Sequence, residues 1–232
     1  MNTTISIIII TLNEAENIGH LLERLQSNRD ERVVEILLID GGSTDGTREI
    51  AATVGATVME APCCGRAVQM NFGAEQARGD ILYFIHADSL PPKTYVADLI
   101  TAVESGFPIG CFRFLFDSGR ILLKLNSYFT RFDKMWCRGG DQTLFVTREL
   151  FSELNGYDES HLIMEEYDLI ARARQNYPFK IIPKDVLVSA RKYEENSYLK
   201  VQLANLTVFN MYRLGYSQER MKHWYKKVLG VR

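Results

Sequence analysis

Two short, nearly unbroken apolar runs, Ile5–Ile10 and Ile81–Ile85, constrain this chain most. Neither approaches the roughly 18 residues of a membrane span. Neither shows the alternation of a strand with one wet face, so each predicts a strand covered on both sides, as in a parallel sheet. Thr4–Ile10 is the first such strand, Val33–Ile39 the second, Thr57–Glu60 the third and Ile81–His86 the fourth. The stretch before Ile5 has neither the cationic start nor the cleavage site of a secretory leader, so the first run reads as a strand.

Helical spacing fills the intervals. Ile18, Leu21, Leu22 and Leu25 predict an amphipathic helix over Glu14–Ser27, with Asn13 as its N-cap and Glu16 as the capping-box partner. The turn from Asp40 to Gly46 holds three glycines, and Ser43, Thr44 or Asp45 is expected to cap a helix over Thr47–Val54. A third helix, Arg66–Ala77, turns Ala67, Met70, Ala74 and Ala77 to the sheet and Arg66 and Gln69 away from it. The β-α-β-α-β-α-β order predicts an α/β fold, a mostly parallel central sheet with helices on both faces.

The second half is less regular. Helices are expected over Lys93–Glu104, near Gly119–Phe132 and from Met164 to about Gln175, with strands at Ile109–Phe116, Leu144–Val146, Phe179–Ile182 and Val186–Ser189. Pro91 and Pro92 should end the fourth strand region. Residues 1–196 read as one domain, with a nucleotide-binding half over 1–90 and an acceptor half over 91–196; 197–232 reads as a helical extension.

The carboxyl ends of parallel strands are where open α/β sheets bind ligands. Asn13, Glu14, Asp40, Asp45, Arg66 and Asp88 all fall there, and a nucleotide fits across them. Asp40 offers an acceptor for a base N–H, and Arg66 a planar fork for phosphate. His86 and Asp88, alternating on one strand, point the same way and make a candidate site for a divalent cation under a diphosphate. An ordinary strand end with Asp88 as a helix cap is the plain alternative. There is no G-x-x-x-x-G-K-S/T loop and no G-x-G-x-x-G, which counts against P-loop enzymes and ordinary dinucleotide folds.

The series Thr11-Leu12-Asn13-Glu14, Asp40-Gly41-Gly42-Ser43-Thr44-Asp45-Gly46-Thr47, His86-Ala87-Asp88 and Glu165-Glu166 resembles the family 2 glycosyltransferases of the GT-A fold over about residues 4–190. The finer pattern, Arg66 to Asn71, His86 to Ser89, Gly140-Asp141-Gln142 and Met164-Glu165-Glu166, is similar to the bacterial arsenosugar-biosynthesis-type subgroup. The resemblance implies a hexosyltransferase-type enzyme that moves a sugar from a UDP- or GDP-linked donor to an acceptor hydroxyl, with inversion. It implies a nucleotide-sugar site of Thr11, Asn13, Glu14, Asp40, Ser43, Asp45, Arg66, Gln69, Asn71, Ala87 and Asp88, with Arg191 where relatives touch the diphosphate. It implies Mn²⁺ or Mg²⁺ on Asp88 and His86, and Glu166, beside Glu165, as general base. His86 stands where the family's first D-x-D aspartate is expected, and imidazole suits Mn²⁺ better than Mg²⁺. Glu166 stands where an aspartate is expected, one methylene longer.

Trp136, Arg138, Asp141 and Gln142 are the acceptor candidates. Competing functions are a non-catalytic nucleotide-sugar binding protein and a nucleotidyltransferase, the latter wanting a glycine-rich, basic turn that Thr11–Glu14 lacks. The net charge of −2 gives no footprint for nucleic acid, and adjacent Cys63 and Cys64 are poorly placed for a structural disulfide. A cytoplasmic location follows as the default. The stripe from Ile121 to Phe132 reads as core. The aromatic, finally basic tail after Ser197 suits packing back on the domain, with an anionic inner membrane face or a homodimer contact as alternatives.

Overall fold

The computed structural model describes residues 3–138 and 142–230. Its first part alternates as the apolar runs require: β1 (Ile5–Thr11), α1 (Ala15–Ser27), β2 (Val33–Asp40), α2 (Thr47–Thr53), β3 (Thr57–Glu60), α3 (Arg66–Gln76) and β4 (Ile81–His86). Then come β5 (Ser89–Leu90), α4 (Tyr95–Glu104), β6 (Ile109–Phe116), α5 (Ile121–Phe129), β7 (Leu144–Thr147), α6 (Arg148–Glu153), α7 (Glu165–Ala173) and β8 (Phe179–Val188). Three helices follow, α8 (Lys192–Glu195), α9 (Tyr198–Arg213) and α10 (Gln218–Leu229).

One sheet joins all these strands in the order β3-β2-β1-β4-β7-β6-β8-β5. The first four are parallel, β7 runs against both β4 and β6, and β8 runs with β6. β7 lies between β4 and β6, so a segment from the second half is stitched into the middle of the sheet.

The apolar strands are covered on both faces, which is why they carry no polar alternation. Ile5, Ile7 and Ile9 pack with Tyr83, Ile85 and helices α1 and α4, whereas Ile8 and Ile10 pack with Phe84, α3 and α7. Each such isoleucine contributes roughly 1.5–3 kcal/mol by leaving water. The tail joins the first of these layers through Val201, Ala204 and Leu229. Among the described residues no helix is long and apolar enough to cross a membrane.

Four local expectations are corrected. The N-cap of α1 is Glu14 and its capping box does not form. Asn13 instead takes a left-handed backbone, φ 56°. The residues before Pro91 form β5, paired with β8 at the sheet edge. The two short strands expected near 179–189 are one strand, β8, whose pairing with β6 jumps from Phe112↔Ile182 to Arg113↔Asp185. The bulge takes up Pro183, which has no N–H for the ladder, and Arg113 Nη2 donates to its carbonyl at 2.7 Å. The stripe from Ile121 to Phe132 is not core: Leu123 is buried, but Ile121, Leu122, Leu125, Tyr128, Phe129 and Phe132 are exposed.

Candidate active site

The loops after β1 and β2 are laced together at the carboxyl edge of the sheet. The amides leading into α1 find acceptors in the distant loop: Asn13 N–H on Ser43 Oγ at 2.8 Å, Glu14 N–H on Thr47 Oγ1 at 2.9 Å, and Ala15 N–H on Asp45 Oδ2 at 3.0 Å. Asn13 Oδ1 in turn accepts from the Thr44 amide at 2.9 Å. Asp40 is fully buried beneath them. Its carboxylate accepts from Thr11 Oγ1 at 3.0 Å, from the amides of Gly42 and Ser43 at 3.0 and 2.7 Å, and from the Ser43 hydroxyl. Burial would raise its pKa, but these bonds from Ser43, Thr11 and Gly42 leave it below the ordinary value. Gly42 closes the turn at φ 98°, a conformation that disfavours a side chain. Gln69, expected to point away from the sheet, is instead buried and ties the strand ends, donating to the carbonyls of Thr11 and Ile39 at 2.9 Å each. Asn71 clamps residue 157, exchanging both bonds with the Tyr157 backbone at 2.9 Å.

Arg191 crosses the same edge from the other half. Its guanidinium donates to Glu14 and lies 3.9 Å from Asp88 Oδ2. The Glu14 bond and charge hold the guanidinium above its usual pKa despite burial. The β5–β8 pairing makes this reach short, because the Ser189 amide donates to the Asp88 carbonyl at 3.1 Å. Ala87 is buried in the turn that carries Asp88. β4 ends at His86, so His86 and Asp88 do not share one face of a strand, and the alternation argument for pairing them fails.

His86 meets the start of α7 instead. Its Nε2 is 3.3 Å from Glu166 Oε1. Burial alone would favour neutral imidazole and a protonated acid. The mutual hydrogen bond and charge outweigh it, so the pKa of His86 is raised and that of Glu166 lowered. Glu165 has the opposite fate. Its carboxyl oxygens are buried without a hydrogen-bond partner among the described residues, and Arg66 Nη1 comes no closer than 3.7 Å. Burial, then the Glu166 charge, push its pKa up to about 7.

A cavity of about 710 Å³ opens from this corner. Arg66 and Glu166 line it, with Trp136, Phe129 and Arg138, with Lys192 and Tyr193, and with Gln202, Leu206, Phe209 and Tyr225 of the tail. Of the acceptor candidates, Trp136 is 58% exposed on this cavity. Arg138 is buried and holds the end of α5 by donating to Cys111 Sγ and the carbonyls of Thr130 and Phe132 at 3.1, 2.7 and 2.6 Å. Gln142 is buried beside His86 and Glu166 in a small pocket. Asp141 lies outside the described residues. The wall from the tail was not foreseen; its aromatic density between Tyr198 and Tyr225 was the available signal.

A family model described as glycosyl transferase family 2 matches residues 6–151. The chain is 34% identical over 107 residues to glycosyltransferase AglE of Haloferax volcanii, covering 43% of this chain and 35% of that protein. It is 31% identical over 99 residues to glucosyl-3-phosphoglycerate synthase of Mycolicibacterium paratuberculosis, covering 38% and 30%. The chain thus spans about a third of the length of these curated relatives. In structure it resembles glucosyl-3-phosphoglycerate synthase from Mycobacterium tuberculosis in complex with Mn²⁺, uridine diphosphate and phosphoglyceric acid, at 19% identity and a TM-score of 0.66 over 92% of this chain and 79% of that one. The likeness is one of fold, and that fold is GT-A.

Proposed function

The chain belongs to glycosyl transferase family 2, and from that premise we propose that it moves a sugar from a nucleoside diphosphate donor to an acceptor hydroxyl with inversion. One observation carries this reading: Glu166, kept ionised by His86, lines a large cavity together with Arg66.

The donor nucleotide lies over the laced loops, with Thr11, Asp40 and Ser43 beneath the base and Asn13, Glu14 and Asp45 shaping the rim. Gln69 keeps those strand ends in place through its bonds to the Thr11 and Ile39 carbonyls, while Asn71 is committed to the Tyr157 backbone. Arg66 and Arg191 face the diphosphate. The acceptor oxygen attacks the anomeric carbon as its proton passes to Glu166, and the bond from that carbon to the phosphate oxygen breaks, releasing the nucleoside diphosphate. General-base help of this kind is worth about 10²–10⁴-fold in rate. His86 orients Glu166, while Glu165, its pKa raised to about 7, is about half protonated at neutral pH and holds Arg66 less firmly than an ordinary carboxylate would, at 3.7 Å.

UDP is the first choice of nucleotide, because the structural neighbours are described with UDP and UDP-glucose. The same neighbours contain Mn²⁺ or Mg²⁺. Among the described residues no group of three or more His, Cys, Asp or Glu side chains is arranged to hold a metal. A single carboxylate, Asp88, suits a hard cation that takes its remaining oxygens from diphosphate and water. Such a cation, when bound, offsets the charge that builds on the leaving diphosphate. The reading includes action in the cytoplasm and the arsenosugar-biosynthesis-type subgroup, which rests on the motif pattern.

Glu166→Gln tests the proposal. Calorimetry should find UDP with Mn²⁺ bound as in the wild type, and release of UDP from a UDP-sugar on transfer should fall at least about 10²-fold. Unchanged turnover would remove Glu166 as the base. No binding of any nucleoside diphosphate would end the glycosyltransferase reading.

A further inference from the structure

Two helices that contribute to the cavity lining, α5 and α9, leave large apolar side chains in water. On α5, Ile121 is 82% exposed and Leu125 is half exposed; on α9, Leu199 and Leu203 are 76% and 65% exposed. Phe129, Trp136 and Leu206 are exposed and also line the cavity, so the apolar face of each helix runs on into its lining. α9 has already spent its Val201, Ala204 and Val208 on the core, so these leucines are surplus to folding. Exposed apolar area on this scale marks a contact surface.

The charge around it selects the occupant. Residues 118–138 and 197–230 carry eleven of the chain's 27 lysines and arginines but two of its 29 acidic residues. Arg120, Lys124, Arg131, Lys200, Arg213 and Lys226 are exposed there. A second copy of the same face would bring like charge against like. Apolar side chains flanked by cations fit the boundary of a bilayer with anionic headgroups, and Trp136 has the side chain favoured at that depth.

We infer that the α5–α9 face docks on an anionic lipid bilayer with the cavity mouth toward it, so that the acceptor is reached from the lipid surface. The docking stands on the surface alone; the statement about the acceptor rests on the proposed glycosyltransferase activity.

Flotation with phosphatidylcholine vesicles, with and without phosphatidylglycerol, tests it. Binding is expected only with phosphatidylglycerol and should weaken about tenfold from low to high salt. Ile121→Glu with Leu125→Glu, or Leu199→Glu with Leu203→Glu, should each lower binding by about tenfold or more. The same variants should keep the wild-type circular dichroism and calorimetric binding of UDP with Mn²⁺. Lys124→Glu with Lys200→Glu, at exposed positions, guards against a fold effect and should also weaken binding. Brominated phosphatidylglycerol vesicles should quench the fluorescence of Trp136, and Trp136→Phe should abolish the quenching. Wild type that ignores anionic vesicles, or variants that bind as wild type does, would overturn the docking. So would a wild-type dimer broken by the leucine variants with no vesicle binding, which would make the face a contact between copies. Vesicle binding without UDP binding would leave the docking and remove the activity.

Discussion

Glu165 and Glu166 are consecutive, yet their surroundings shift their acidities in opposite directions. Glu166 has His86 at 3.3 Å, while Glu165 has burial and a neighbouring negative charge. Its pKa rises from 4.5 to about 7, so across that window the folded state holds a proton the unfolded chain has released. Stability therefore falls as pH rises through the window, by roughly 3 kcal/mol from this residue alone. The His86–Glu166 pair behaves differently at its two ends. The lowered Glu166 contributes stability above about pH 4.5 that is lost on acidification, and the raised His86 contributes stability that is lost as pH rises beyond about 6.5. Glu165→Gln should flatten urea-derived stability between pH 5 and 7 while keeping the loss above it; an unchanged slope would show that Glu165 is ionised throughout. His86→Gln separates orientation from metal binding. It should slow UDP-sugar turnover about 10–100-fold with Mn²⁺–UDP affinity unchanged, whereas a weakened affinity would return His86 to the metal. The sequence placed these residues in one neighbourhood but not in their pairs, because β4 ends at His86, two residues short of the Asp88 that alternation would have aligned with it.

Helix α1 illustrates what was legible at the level of elements. Its apolar spacing set both its existence and its buried face, since Ile18, Leu21, Leu22 and Leu25 are the residues it buries. Its start was misread because a capping box is a local pattern, and the acceptors for the amides leading into it come from Ser43, Asp45 and Thr47, about thirty positions away. The motif spelling Asp40 to Thr47 therefore has a structural task beside any contact with nucleotide. Ser43→Ala removes the acceptor for Asn13 and a donor to buried Asp40. It should cost about 1–2 kcal/mol, read from urea unfolding, and speed hydrogen exchange at the Asn13 amide. It should also weaken UDP binding, because Asp40 loses a partner that fixes it. A stability loss confined to fractions of a kcal/mol would mean that water replaces the hydroxyl.

At the scale of the whole molecule, the boundary near residue 196 separates two sequence styles but not two packing units. The alternation of strand and helix before it is local in sequence and could be read directly. What lies after it takes its place through partners far away, and an aromatic, basic helix pair has no local pattern that names them. Val201, Ala204, Met221 and Leu229 are buried, Trp224 and Tyr225 pack on the same core layer, and Asn196 Nδ2 donates to the Leu229 carbonyl at 3.2 Å. α9 and α10 also supply a wall of the cavity that opens at Glu166. A chain ending at Asn196 would uncover Tyr193, Phe116 and their neighbours, whose aromatic contacts run through Tyr198. At about 1.5–3 kcal/mol for each large side chain returned to water, the loss rivals the 5–15 kcal/mol that holds an ordinary domain together. Residues 1–196 alone should thus aggregate or melt at least about 10 °C below the full chain. Adding UDP and Mn²⁺ should restore little of that loss, because the bonds that lace the donor loops run between residues 13–15 and 43–47. A truncated chain that melts with the full one and turns over UDP-sugar equally would show the tail to be an appendage, with the acceptor bound elsewhere than in the cavity it walls.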